Sequence, residues 1–218
     1  MSWLDALDWL GSLPAELVLA VPVVLLAGLV GIILSLRRAR LRRWRAIAAA
    51  TGLRLNEKTI VDSPELSGDY RGRQLKMTIA GRQRGSTRLR KTWTLVTAGV
   101  ANPTFLGLKM YRQDVVDTLL TTLGMPDLKL GDDAFDRRFI IQSDDAPTAK
   151  QLLGSGVLRH ELSQAEIERV EMFGSTLNVY YAREERESAH AETLFDAVVH
   201  LANAIDALKK DEKPERIS

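Results

Sequence analysis

The chain has 218 residues, 30 of them basic and 28 acidic, and no cysteine. Disulfides, thiolate nucleophiles and cysteine-ligated zinc or iron–sulfur centres are therefore excluded. The near-neutral total hides a lopsided distribution: residues 1–36 carry −3, residues 37–91 carry +12 and residues 92–218 carry −7. One pole of the molecule is thus suited to an anionic surface.

Residues 1–16, MSWLDALDWLGSLPAE, set leucines beside Trp3, Trp9 and two aspartates, the pattern of a short helix lying in a membrane interface. Residues 17–36, LVLAVPVVLLAGLVGIILSL, carry no charge. Twenty helical residues reach about 30 Å, the thickness of a hydrocarbon core. A signal peptide starts basic and has a shorter apolar run. Here the start is acidic and RRARLRRWR follows the run, so a retained transmembrane helix is predicted over 17–36. Lysine and arginine mark the cytoplasmic flank, and Arg37, Arg38, Arg40, Arg42, Arg43 and Arg45 all lie on the C-terminal side. The prediction is a single pass through the plasma (cytoplasmic) membrane, N-terminus outside and the rest in the cytoplasm. The six arginines are expected to touch anionic headgroups, with Trp3 and Trp9 at one interface and Trp44 at the other. Within the span, Ala27, Gly31 and Ser35 form a small-xxx-small ridge that suits self-association or another helix. Gly and Ala are common in such spans, and composition alone also accounts for the ridge. No ionisable residue in the span marks a transport pathway.

An arginine-rich juxtamembrane helix is predicted over 37–52, with Leu41, Trp44 and Ala48 on one face and Gly52 at its end. In residues 65–81, Leu75, Met77 and Ile79 alternate with polar residues, a half-buried strand after a glycine-centred turn. TWTLVTAGV and TFLGLKMY read as further strands. Between the first two lies a basic tip bearing Arg82, Arg84, Arg88, Arg90 and Lys91, read as a solvated loop, a second membrane contact or a dock for an acidic partner. DVVDTLLTTLGMP has an i, i+3, i+4, i+7 apolar pattern ended by Gly124 and Pro126, a helix. FDRRFIIQS reads as a strand, and DDAPTAKQLL as a helix capped by aspartate. IERVEMF and TLNVYY form a hairpin around Gly174 and Ser175. A long amphipathic helix over 189–210 has Leu194, Val198, Leu201, Ile205 and Leu208 on one stripe, and 211–218 is a polar tail. Clustered strands followed by helices and a hairpin predict an α+β domain over 53–210, with mixed helices and antiparallel sheet. The hairpins around Gly72 and Gly174 echo one another faintly.

Three segments resemble a group of uncharacterised prokaryotic single-pass membrane proteins with a cytoplasmic α+β domain. They are Trp44…Ala48…Gly52-Leu53, the L-x-G-x-Y-x-G-R run from Leu66 to Arg73, and the G-D-x-x-F-D-x-x-F run from Gly131 to Phe139. The resemblance implies an architecture and carries no chemistry.

Catalytic constellations are scarce. His160, His190 and His200 have no i, i+4 pair and no H-E-x-x-H motif, so they read as surface or core-edge residues. GSG at 154–156 and GST at 174–176 are turn serines, and no phosphate-cradling glycine loop occurs. Asp132, Asp133 and Asp136 lie near Asp144 and Asp145 and offer oxygen ligands for a divalent cation. Against that, Asp145 suits a helix cap and Asp136 has Arg137 and Arg138 as ready partners. The basic segments lack interleaved aromatics, which argues against nucleic acid. No cofactor is implied. The expectation is a non-enzymatic interaction module, an accessory subunit of a membrane assembly. A membrane-tethered enzyme with a carboxylate cation site and an anionic-lipid sensor stand as alternatives.

Overall fold

The computed structural model of the chain describes residues 15–57, 63–80, 93–113, 127–181 and 188–208. Nearly all of the expected interfacial segment 1–16, the basic tip 82–91, the helix expected over 114–124 and the tail 211–218 lie outside them. The chain divides into two compact units, Met1–Arg42 and Arg43–Ser218.

The described residues of the first unit are helical. Helix α1 runs Ala15–Thr51 with Pro22 inside it, and its large apolar side chains from Val21 to Leu36 are exposed. A helix apolar on every side needs an apolar solvent. Among the described residues it is the one helix long and apolar enough to cross a membrane.

The last two turns of α1 belong to the second unit, and here one expectation fails. Trp44 and Ile47 are 0% exposed and sit in the hydrophobic core, so Trp44 is not a headgroup anchor. Its indole packs where burial of a large ring is most favourable. Gly52 ends the helix at φ +73°, a conformation glycine adopts without a Cβ clash.

Eight antiparallel strands follow: β1 (Arg54–Asn56), β2 (Glu65–Tyr70), β3 (Arg73–Ala80), β4 (Trp93–Gly99), β5 (Leu108–Arg112), β6 (Phe139–Ser143), β7 (Ile167–Phe173) and β8 (Thr176–Tyr181). They form one sheet in the order β1-β2-β3-β4-β8-β7-β5-β6. Between the strands lie α2 (Asp133–Arg138), α3 (Ala146–Leu152) and α4 (Gly156–Gln164), and α5 (Ser188–Asp206) ends the described fold. The architecture is α+β, as the strand clustering predicts.

The period-2 pattern settles which face is covered. Met77 opposes Val96, Val96 opposes Val179, and Val179 opposes Val170. All four are buried, and α5 and α4 pack on this side against β4 and β7. The stripe Leu194, Val198, Leu201, Ile205 and Leu208 is buried throughout. A β-bulge at Glu168 shifts the register between Ile167 and Arg169, adding the local twist that bulges bring.

Three local expectations are corrected or extended. Residues 135–138, expected as the start of a strand, instead belong to α2, because Asp132 accepts from Ala134 N (3.2 Å) and Phe135 N (3.1 Å) and so caps a helix. The strand expected in TFLGLKMY starts only at Leu108. Helix α4 was not foreseen; Ser155 caps it through Leu158 N, and Leu158 and Leu162 bury its inner face. At the sheet margin, Leu128 N donates to Ile141 O (2.8 Å) and Ile141 N to Asp127 Oδ1 (3.1 Å). These bonds occupy backbone groups that an edge strand would otherwise offer to another chain.

Candidate functional site

The six arginines do not share one environment. Arg37, Arg38, Arg40 and Arg42 fall in the first unit, and Arg43 and Arg45 in the second. Arg45 donates from Nε (3.0 Å) and Nη2 (2.6 Å) to Glu57 Oε1, just beyond β1. In the span, Gly31 has open space where a Cβ would sit, and Ser35 Oγ donates back to Ile32 O at 2.9 Å. The serine of the small-residue ridge is thus turned onto its own helix. The cations of the basic tip lie outside the described residues, but the strand ends that bracket it do not. Ala80 opposes Trp93, and in neighbouring rows Thr78 opposes Glu65, which opposes Asn56. The strands on either side of the tip therefore end where Asn56, Glu57 and Arg45 lie.

The aspartates expected near one another have separate tasks. Asp132 caps α2 and pairs with Arg159 at 3.0 Å. The Phe135 amide, then Arg159, hold its carboxyl below the usual carboxylate range. Asp136 does not pair with Arg137 or Arg138. It accepts from Leu130 N (3.0 Å) and Gly131 N (2.9 Å), closing the loop before α2. Arg137 Nε instead donates to Asp133 O at 2.9 Å. An open concavity of about 400 Å³ is lined by Lys129, Gly131, Asp133, Asp136 and Arg137. Asp145 caps α3 through Thr148, whose hydroxyl and amide lower its pKa. Among the described residues no group of three histidines or carboxylates converges on one point. His200 Nδ1 lies 2.7 Å from Glu161 Oε2, tying α5 to α4, and the His190 ring lies against Tyr181.

The L-x-G-x-Y-x-G-R run proves to be a clamp for α5. Gly72, at φ +81°, makes the β2–β3 turn, which sets Tyr70 and Arg73 opposite one another. Tyr70 OH donates to Asp196 Oδ1 at 2.9 Å. Burial, then that hydrogen bond, pushes the phenol up to about 12. Arg73 donates to Asp206 (2.7 Å), Asn203 (2.6 Å) and the Gly99 carbonyl (2.6 Å). One guanidinium thus joins the hairpin, the end of β4 and α5.

The face of the sheet opposite the helices carries a cluster that sequence reasoning missed. The Arg169 guanidinium lies 5.4 Å from the Tyr111 ring centre and 5.0 Å from that of Tyr180, and it pairs with Glu171. Burial raises the pKa of both tyrosines. Trp93 meets Tyr180 edge-on at 6.3 Å. The alternation of Arg169 with Glu171 was legible in IERVEMF. The opposition of Arg169 to Tyr111 and Tyr180 depends on register.

A second missed feature is the loop 102–107. Asn102, 2% exposed, donates from Nδ2 to Leu106 O (3.1 Å) and to Gly174 O (2.8 Å), while its Oδ1 accepts from Leu106 N (3.0 Å). Gly107 N donates to Asp144 Oδ1 at 2.8 Å. A Cβ on Gly107 would lie 2.6 Å from Asp144 Oδ2, so a larger residue here would have to displace the carboxylate that holds the Gly107 amide.

No protein-family model matches the sequence, and no curated protein matches it. Among solved structures, the chain is similar in fold to the crystal structure of the mycobacterial trehalose monomycolate transport factor A, TtfA. The two are 10% identical, with a TM-score of 0.55 over 81% of this chain and 99% of that one, which is a likeness of fold.

Proposed function

We propose that this chain is a membrane-anchored, non-enzymatic interaction module, an accessory subunit of a membrane assembly. The observation that carries the reading is the double character of α1. Its apolar side chains up to Leu36 are exposed, while Trp44 and Ile47 are fully buried in the domain core. One helix is both the candidate membrane rod and part of the folded body, an arrangement suited to holding a docking surface beside a membrane. The arginines clustered on the C-terminal side support an N-outside, cytoplasmic-domain orientation, with Arg37, Arg38, Arg40 and Arg42 at the headgroups. The engagement of Asp132 and Asp136 by backbone amides and Arg159 supports structural roles for these carboxylates over a cation site. The name of the fold neighbour, a transport factor, agrees with an accessory role. Protease added to intact and to permeabilised cells carrying a C-terminal tag tests the orientation. Protection in intact cells and digestion after permeabilisation are expected; digestion in intact cells overturns it.

A second reading, binding of anionic lipid by Arg82, Arg84, Arg88, Arg90 and Lys91, has one observation in its favour. The strand ends Ala80 and Trp93 open onto the sheet end that holds Arg45. Replacing the five cations by glutamine in residues 43–218, the second compact unit, should weaken flotation only with anionic vesicles. Equal flotation with neutral vesicles removes this reading.

A further inference from the structure

The arginines beyond Leu36 divide by what already holds them. Arg45 is fixed to Glu57, and Arg37 and Arg40 each interact within the chain. Arg38 and Arg42 are exposed, and among the described residues neither has a hydrogen bond or an ion pair. Both lie on α1 in the first unit. Their i, i+4 spacing makes them neighbours on one helix face, with Cβ atoms about 5–6 Å apart. Two guanidinium groups so placed repel each other. An anion between them converts that repulsion into paired, charge-assisted hydrogen bonds.

Their height on the rod points to the kind of anion. Leu36, 65% exposed, is the last large side chain of the exposed apolar run. A helix rises about 1.5 Å per residue, so Arg38 lies about 3 Å and Arg42 about 9 Å past it. The headgroup layer outside the hydrocarbon is about 5–8 Å thick. Helical side chains lean toward the N-terminus, which here is toward the apolar run, so both guanidinium groups fall at phosphate depth. Arg45, about 13 Å past Leu36, lies beyond that layer, in keeping with its pairing to Glu57. We propose that Arg38 and Arg42 form a pincer for the phosphate of one anionic phospholipid. The proposal rests on the membrane-anchored reading and names which arginines recognise the lipid. Arg43 is also exposed, but it lies about 100° round the helix from Arg42 and so stands outside the pincer. Two cations favour a lipid of net negative charge over a zwitterionic one, whose own ammonium group competes for the phosphate.

The test titrates the full-length protein in detergent micelles with phosphatidylglycerol or phosphatidylcholine and counts retained lipids by native mass spectrometry. Phosphatidylglycerol should bind more tightly. Arg38→Gln and Arg42→Gln should each weaken its binding about tenfold, the loss expected for one charge-assisted pair. The double variant should lose little more, because two halves of one site do not add. Arg43→Gln removes the same charge and should leave the affinity nearly unchanged. Replacing Arg38 and Arg42 together by lysine keeps the charge without the planar fork, and should still lose most of the affinity. Equal loss from Arg43→Gln, additive losses from Arg38 and Arg42, full retention by the lysine variant, or equal binding of phosphatidylcholine overturns the proposal. Displacement of the lipid by an equal concentration of inorganic phosphate also overturns it, by marking a site for a soluble anion. If the protein stays in carbonate-washed membranes while none of these variants alters lipid binding, this inference fails alone. If carbonate extracts it, the anchored reading fails and takes the pincer with it.

Discussion

Replacing Trp44 by alanine in the full-length protein distinguishes an indole in the domain core from one in the headgroup layer. The side chain is 0% exposed and belongs to the core cluster. Truncating a buried tryptophan costs about 3–5 kcal/mol in lost transfer energy and cavity formation. In a domain of this size each kcal/mol moves Tm by about 2–4 °C. Trp44→Ala should therefore lower Tm by roughly 6–20 °C, read by circular dichroism of the detergent-solubilised protein. Trp44→Phe is the control. The indole Nε1 has no acceptor among the described residues, so phenylalanine forfeits packing area and no hydrogen bond, and should recover more than half of the loss. An interfacial tryptophan would leave the folded domain within about 0.5 kcal/mol of wild type. A shift of under 2 °C for Trp44→Ala would refute the assignment of α1's last turns to the core.

Three further outcomes follow from the polar clamps. Burial and the Asp196 hydrogen bond push the Tyr70 phenol from its ordinary 10.0 up to about 12, so the fold favours its neutral form. That stability is complete below pH 10 and is lost as pH rises from 10 to about 12, up to roughly 2–3 kcal/mol; Tyr70→Phe should flatten this part of the pH–stability curve, leaving the share owed to Tyr111 and Tyr180. Asp136→Asn removes the charge that receives Leu130 N and Gly131 N, and should cost about 1.5–3 kcal/mol in chemical denaturation. Mg²⁺ should leave the melting curve of both forms in place, and a saturable shift in wild type alone would revive a cation site. Asp127→Ala strips the acceptor from Ile141 N and should produce concentration-dependent association by light scattering, with about 1 kcal/mol of lost stability.

Local chemistry was legible wherever the deciding interactions lie within one turn or one strand. The alternation of Leu75 and Met77, the Asp145 cap and the α5 stripe are of this kind. Two misses had local signals that were passed over: Asp132 three residues before Phe135, and Ser155 ahead of Leu158 and Leu162. Trp44 was ambiguous in principle, because a tryptophan beside arginines reads alike as a headgroup anchor and as a core residue. The candidate sites were less legible. Thr97 Oγ1 meets Asn178 Oδ1 at 3.0 Å across 81 positions of sequence, and the tyrosine–arginine stack and the Asn102 bolt depend on contacts of that range.

The pairing of β4 with β8 has a consequence for biogenesis. The first half of the sheet ends at Gly99, yet its partner strand ends at Tyr181, some 82 residues later in synthesis. At ribosomal rates of about 5–20 residues per second, β4 waits roughly 4–16 s for its neighbour. The apolar helix leaves the ribosome well before that, so folding of this body is a late event, completed only after the candidate membrane span has been synthesised.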